Sequence, residues 1–365
     1  MLAYLKKEKV LCIAWILAII SMFIVHPDKA YIEYVDVRVL ALLFCLMLLV
    51  KGFQRIGLFD VLIQKVFAHI SGSRRLSQML ILICFFLSMI ITNDVALITF
   101  VPFAILALQL CHQEKLMIRV IVLQTMAANL GSMFTPIGNP QNLYLFSVSN
   151  MGLAEFFGTM FPATALSLIL LMAATYLLPN EPIEVEIKEK IEMAEKSEFI
   201  TYVFLFALNL LVVFRVLTWV PVLIITIAGV LSIKRVELLK EVDYALLMTF
   251  VGFFIFVGNL GRVPLFSEIL EQLIQGREIL VAAIFSQFLS NVPAALLLSG
   301  FTDNFAGLLL GTNIGGLGTI IASMASLISY KLYGQLENAR RGIYMLVFTA
   351  YNFIGLVILL LFTLL

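Results

Sequence analysis

The chain has 365 residues, 62% of them hydrophobic and only 13% charged, with a mean hydropathy of +1.06 and a net charge of +1. Globular domains run at about 45–50% apolar and about 25% charged, so this is an integral membrane protein. Its apolar runs exceed the roughly 10-residue alternation of barrel strands, which makes it an all-α polytopic membrane protein, and no basic region outside the membrane could hold nucleic acid.

Residues 10–26 follow Lys6, Lys7 and Lys9 without a small-residue cleavage pattern and read as a first span that stays. Residues 37–50 cross back. Residues 56–70 alternate Leu58, Phe59, Leu62, Val66 and Phe67 with Asp60, Gln64 and Lys65, the pattern of a helix lying in the interface. Residues 76–110 are apolar except for Thr92-Asn93-Asp94 near the middle. Two full spans need about 40 residues plus a turn, and both flanks are basic (Arg74, Arg75; Lys115, Arg119), so a re-entrant hairpin with a polar tip is expected.

A broken span over 118–146 follows. Its centre, residues 128–142, gathers Asn129, Gly131, Ser132, Thr135, Pro136, Gly138, Asn139, Pro140, Gln141 and Asn142. Gly and Pro interrupt the helical ladder, and the freed backbone groups need partners that hydrocarbon does not supply. Residues 156–178 cross again, and 179–198 form a charged linker. Beyond it lie spans at 199–216, 219–233 and 244–257, a short hairpin at 279–301 with Ser290-Asn291 at its tip, a second broken span at 305–330, and a last span at 343–365.

The two halves align. Asp36, Arg55 and Leu58 match Asp243, Arg262 and Leu265 at an offset of 207; Asn93 matches Asn291 at 198; Asn129, Gly131 and Thr135 match Asn313, Gly315 and Thr319 at 184. Residues 1–178 are then one repeat, 179–198 a linker, and 199–365 a second repeat preceded by an unpaired helix, 199–216. One extra crossing inverts the second copy. The basic residues agree: nineteen fall on the expected inner side, and only Lys29, Arg38, Arg215, Arg262 and Arg277 on the outer. This gives about nine full spans plus two hairpins, with the N-terminus and linker cytoplasmic and the C-terminus outside, in the cell (inner or plasma) membrane. Inverted repeats with broken helices meeting at mid-depth describe a secondary transporter; a channel is the structural competitor.

The tips and breaks carry the candidate chemistry. Half-helix N-termini suit an anionic or oxygen-rich solute, whereas unwound carbonyls suit Na⁺ or a proton site. Solute contacts are expected from Thr92, Asn93, Asn139, Ser290, Asn291 and Thr319. Ion contacts are expected from Asn93, Asp94, Asn129, Gly138, Asn291, Thr312 and Asn313. Asp94 reads in two ways: an intramembrane cation or proton carboxylate, or a cap on the helix that follows it. Its counterpart in the second half is Val292, so the two sites are not equivalent. The asparagines of the tips read likewise as solute ligands or as turn residues. The four cysteines and three histidines are scattered without metal-ligand spacing, no nucleophile–base pair lies in the apolar runs, and no cofactor is expected beyond Na⁺; the chain does not read as an enzyme.

These motifs, Thr-Asn-Asp-Val-Ala-Leu at 92–97, Asn-Leu-Gly-Ser…Thr-Pro-Ile-Gly-Asn-Pro-Gln-Asn at 129–142, Ser-Asn-Val-Pro-Ala at 290–294 and Asn-Ile-Gly-Gly…Thr at 313–319, resemble the ion transporter superfamily. That group holds citrate and divalent-anion/sodium symporters, arsenite permeases and certain sodium/proton antiporters. The resemblance implies a scaffold and a moving transport domain, an elevator-like displacement and a homodimer. The divalent-anion symporters carry Ser-Asn-Thr at each tip, from which Thr92-Asn93-Asp94 and Ser290-Asn291-Val292 depart; the Asn-Asp tip is closer to the arsenite permeases. The expected function is secondary active transport of a small carboxylate or oxyanion coupled to Na⁺ or H⁺. Arsenite or antimonite efflux and sodium/proton antiport are the alternatives.

Overall fold

A computed structural model describes residues 9–59, 61, 72–183 and 196–365, and the regular elements among them are helices. The first half holds α1 (Lys9–Ile24), α2 (Ala30–Tyr34), α3 (Val37–Arg55), α4 (Ser73–Ile91), α5 (Asn93–Leu110), α6 (Met117–Ser132), α7 (Pro140–Val148) and α8 (Leu153–Thr175). The second holds α9 (Lys196–Val213), α10 (Trp219–Ser232), α11 (Leu238–Glu241), α12 (Tyr244–Gly261), α13 (Pro264–Ile274), α14 (Glu278–Leu289), α15 (Asn291–Leu298), α16 (Phe305–Ile314), α17 (Met324–Tyr333) and α18 (Arg341–Leu364). Of these, α3, α4, α5, α8, α12 and α18 are long and apolar enough to cross a membrane, as a multi-pass membrane protein requires. Lys6, Lys7, most of the interface segment expected at 56–70 and most of the linker at 179–198 lie outside the described residues. In the second half, α13 exposes Leu265, Phe266, Ile269 and Leu273 beside Glu268 and Glu271. It is a surface amphipathic helix at the place the offset of 207 assigns to the partner of 56–70.

The aspartates matched by sequence do the same local work. Asp36 accepts the Val39 amide at 3.0 Å and Asp243 the Leu246 amide at 2.9 Å, capping α3 and α12. Helices α1 and α12 pack together, as do α3, α9 and α10. The ion pairs fall into two sets. Asp28 pairs with Arg262 at 2.8 Å, where α1 and α12 both end; Arg55 pairs with Glu237 at 2.9 Å and Arg235 with Glu198 at 2.6 Å. No pair among the described residues joins a basic residue assigned to the inner side with an acidic residue beside the outer ones.

The chain reverses at both tips. Glu181 bonds Lys115 and Gln113 beyond the end of α5, while its backbone bonds Ser73 at the start of α4. Both ends of the α4–α5 hairpin therefore meet at one residue. Lys115, then Gln113, hold the Glu181 carboxyl below its ordinary pKa. In the second hairpin Glu278 plays that part, accepting from the Gly276 amide at 3.1 Å and from Thr302 at 3.3 Å. The first turn takes a single residue, so α4 and α5 are longer than sequence counting allowed, about 28 Å and about 27 Å at 1.5 Å per residue. By the same measure α14 and α15 are about 18 Å and about 12 Å long, well short of a bilayer core of about 30 Å.

Each hairpin packs its first arm closely on the helix that precedes the break in its own half of the chain, α4 on α6 and α14 on α16. The contact runs through Gly131 and Gly315. A Cβ on Gly131 would lie 2.0 Å from the Phe85 carbonyl oxygen, and one on Gly315 would lie 2.7 Å from the Ala283 Cα. Phe85 and Ala283 are 198 apart, the tip offset. The second arms pack on these helices too, α5 on α6 and α15 on α16, and also reach across: α5 packs on α17 and α15 on α7, which interleaves the halves.

Candidate functional site

The two tips have one geometry. Thr92 sits at φ 71°, ψ 152° and Ser290 at φ 76°, ψ 153°, a region that is essentially glycine-only and costs a side chain of order 1–3 kcal/mol. The surroundings hold both in place. The Asn93 amide donates to the Gly138 carbonyl at 3.1 Å, and the Asn291 amide to the Ala322 carbonyl at 2.9 Å. Gly138 and Ala322 stand 184 apart, so each tip is tied to the break of its own half at matching points. A second tie matches too: Thr135 donates its hydroxyl to Met89 O, and Thr319 donates to Gln287 O at 3.0 Å.

Between the halves run two bonds that are images of each other. Asn139 caps α7 by accepting the Asn142 amide at 2.9 Å, and its Nδ2 donates across to Asn313 Oδ1 at 2.9 Å. Ser323, which precedes α17 as Asn139 precedes α7, donates across to Asn129 Oδ1 at 2.9 Å. Pro140 at the first position of α7 helps start that helix, since its missing amide would have been an orphan there. Asn93, Asn129, Asn139, Asn291 and Asn313 are all at least 95% buried.

The expected site residues divide on this evidence. Asn93 Nδ2 reaches Asn129 Oδ1 at 3.1 Å, and Asn93, Asn129, Gly138, Asn139 and Asn313 lie in one bonded network with Ser132, Asn142 and Ser323. Thr92, Asp94, Ser290 and Asn291 stand at the tips. Thr312 is turned back on its own helix, donating to Leu308 O at 2.7 Å, and Thr319 spends its amide and hydroxyl on Gln287. Gln287 itself was missed by sequence reading. It bridges Gly315 O, Leu317 O and the Thr319 amide at 2.8–3.0 Å, replacing helical bonds lost in the break. Ser323 was missed as well; the offset of 184 from Asn139 was the signal.

As for cations, Asn93 Oδ1 accepts the Asp94 amide, and Asn129 Oδ1 accepts two donors. The Asp94 carboxylate and the Thr92 hydroxyl are the first-tip oxygens without a donor among the described residues. Asp94 is half-buried; no backbone amide or basic side chain bonds its carboxylate among the described residues. These two oxygens, a carboxylate and a hydroxyl, are what the first tip has free for a hard cation or a proton. A small pocket lined by Asp243, Thr249, Val292, Pro293 and Met324 opens where the second tip meets α1 and α12.

A model of the citrate transporter family matches residues 5–308. The chain belongs to that family. An uncharacterized transporter of Methanocaldococcus jannaschii is 32% identical over 325 residues, spanning 89% of this chain and 88% of its own length. Inner membrane protein YbiR of Escherichia coli is 33% identical over 322 residues, 86% of this chain and 84% of its own. The silicon efflux transporter LSI3 of Oryza sativa subsp. japonica matches at 29% over 145 residues, 40% of this chain and 29% of its own. Citrate transporter membership makes the chain a membrane permease for an anion or other small solute, within the superfamily that its tip and break motifs resemble.

Proposed function

We propose that this protein is a secondary active transporter of a small carboxylate or oxyanion, coupled to Na⁺ or H⁺. Two oppositely oriented repeats would bring their tips and breaks together at half depth in the membrane. The observation that carries this reading is the pair of image bonds, Asn139 to Asn313 and Ser323 to Asn129, which joins the two breaks face to face through buried amides and a hydroxyl. The second hairpin supports re-entrancy, because neither of its arms is long enough to cross. The partition of ion pairs supports the nine-span arrangement, with the N-terminus and linker inside the cell membrane and the C-terminus outside.

The solute would lie between the tips, held by Thr92, Asn93, Asn139, Ser290, Asn291 and Thr319. Asn93, Asp94, Asn129 and Gly138 would frame the first ion site, and Asn291, Thr312 and Asn313 the second. Hairpins and broken helices would move together past the scaffold of α1, α3 and α12, within a homodimer. One observation favours a second reading, efflux of a neutral oxyacid such as arsenite or antimonite. Asp94 stands at the first tip with no basic partner among the described residues, and such a carboxylate repels a dianion more than a neutral hydroxide. The silicon efflux relative is in keeping with it. Sodium/proton antiport would use Asp94 as a shared carboxylate.

Uptake into proteoliposomes tests the proposal, with citrate, succinate, sulfate, phosphate and arsenite each assayed under Na⁺ and pH gradients. Accumulation of one solute above its outside concentration, abolished when the gradient is collapsed, is the expected result. Downhill flux indifferent to both gradients would refute the carrier mechanism in favour of a channel.

A further inference from the structure

We propose that the space between Asn129 and Ser326 binds an oxygen atom of the transported solute. This rests on the transporter reading above and deepens it. The orientation of the amides is fixed by one backbone donor. The Asp94 N–H donates to Asn93 Oδ1 at 3.0 Å, so Asn93 turns its Nδ2 toward Asn129. The atom of Asn129 that receives it must be Oδ1, which also accepts from Ser323. Asn129 Nδ2 is left as a donor with no partner in the protein, on a residue only 3% exposed. Ser326 Oγ, on a residue fully buried one turn beyond Ser323, has no partner either.

The image pair across the seam shows that these two groups belong together. At the offset of 184, Asn129 corresponds to Asn313 and Ser326 to Asn142. There the pair is joined: Asn313 Nδ2 donates to Asn142 Oδ1 at 2.6 Å, and also to Leu309 O at 2.7 Å. Asn142 is itself anchored by its Nδ2 on Met133 O and Thr135 O. On α17 a serine stands where α7 has that asparagine, and with its shorter side chain neither the Asn129 N–H nor the Ser326 hydroxyl has a partner in the protein. Helices α6 and α17, which carry them, are in contact. Buried polar groups in native proteins are nearly always hydrogen-bonded, so this pair asks for a ligand. An N–H donor demands an acceptor, which a metal cation is not; a carboxylate or oxyacid oxygen, with the Ser326 hydroxyl as second donor, fits. Asn129 is also one hydrogen bond from Asn93 at the first tip, which puts the site beside the proposed solute position; because the image pair is already joined, the site is single rather than paired.

Ser326→Asn supplies the missing acceptor and fills the space. For whichever solute of the panel wild-type liposomes accumulate, this variant is expected to raise KM at least about tenfold, the discrimination typical of one lost or obstructed contact. It is also expected to abolish the solute's thermal shift while melting no lower than wild type. Should Ser326→Asn fail to fold, Ser326→Thr adds a single methyl to the same space and is expected to raise KM by about the same factor. A folded variant with wild-type KM and thermal shift would overturn the site and leave a structural water there, with the transporter reading intact. Wild-type liposomes that move none of the panel would refute the transporter reading, and the site with it.

Discussion

Replacing Asn139 by alanine should be far more damaging than the image substitution, Ser323→Ala. Asn139 does three things at once: it caps α7, reaches Ser132 Oγ at 3.1 Å, and crosses to Asn313. Loss of a cap costs about 0.5–2 kcal/mol, and a buried acceptor left unsatisfied, here Asn313 Oδ1, costs about 1–3 kcal/mol. Together these give about 1.5–5 kcal/mol. Ser323 makes no side-chain cap to α17, and Asn129 Oδ1 keeps its bond from Asn93 when Ser323 is lost. Only one ordinary hydrogen bond disappears, worth about 1 kcal/mol. Denaturation of both variants in detergent micelles, followed by tryptophan fluorescence, reads the difference. Asn313→Ala also takes the donor from Asn142 Oδ1, but the double variant Asn139→Ala/Asn313→Ala should lose less than the sum of the two single losses, by a coupling of about 0.5–3 kcal/mol, because it removes the Asn313 Oδ1 orphan along with its partner. A Ser323→Ala loss as large as that of Asn139→Ala, or strict additivity in the cycle, would refute the reasoning.

Gly131→Ala should prevent stable packing of α6 on α4, since the new methyl lies 2.0 Å from a backbone oxygen with no side chain to yield; folded yield after detergent extraction measures it. Thr92→Gly and Ser290→Gly should melt at or above wild type, because relief of about 1–3 kcal/mol of tip strain outweighs the extra chain entropy of glycine, about 0.5–1 kcal/mol. A clear drop in either would remove strain from the account. Asp94→Asn should fold and lose gradient-driven accumulation while retaining exchange of solute; unchanged dependence on the ion gradient would show that the carboxylate carries no coupling charge. The Glu181 carboxyl, held low by Lys115 and Gln113, contributes stability that is present above the unfolded value of about 4.3 and is lost as pH falls through its lower native value. Melting curves between pH 3 and pH 6 should therefore show an acid-side fall that Glu181→Gln lacks.

The tips and breaks were legible because they violate the composition around them. Asn93, Asn129 and Asn139 stand out in apolar runs, and their counterparts repeat at fixed offsets. What sequence could not show is which polar residue faces which. Thr312 looks as polar as Asn313, yet in an apolar helix a threonine hydroxyl is readily satisfied by the carbonyl four residues back. Ser323 makes the crossing bond of Asn139 with a different side chain, so identity matching passes over it. Gln287 lies inside a helix that reads as plain hairpin arm, and its reach into the break depends on close packing against Gly315. The reach of α4 and α5 was underestimated because a turn made by one strained residue is shorter than any loop that propensity would suggest.

The seam that joins the two breaks is built wholly from uncharged groups, amide to amide on one side and hydroxyl to amide on the other. Displacing such a seam through a membrane does no electrical work, whereas each full charge carried across is worth about 2.3 kcal/mol per 100 mV. In the carrier proposed above, voltage sensitivity of turnover would thus be a direct count of what rides with the seam: the solute, any co-ion and the state of Asp94. Two currents measured at different potentials, one from the native protein and one from Asp94→Asn, would separate cargo from carrier.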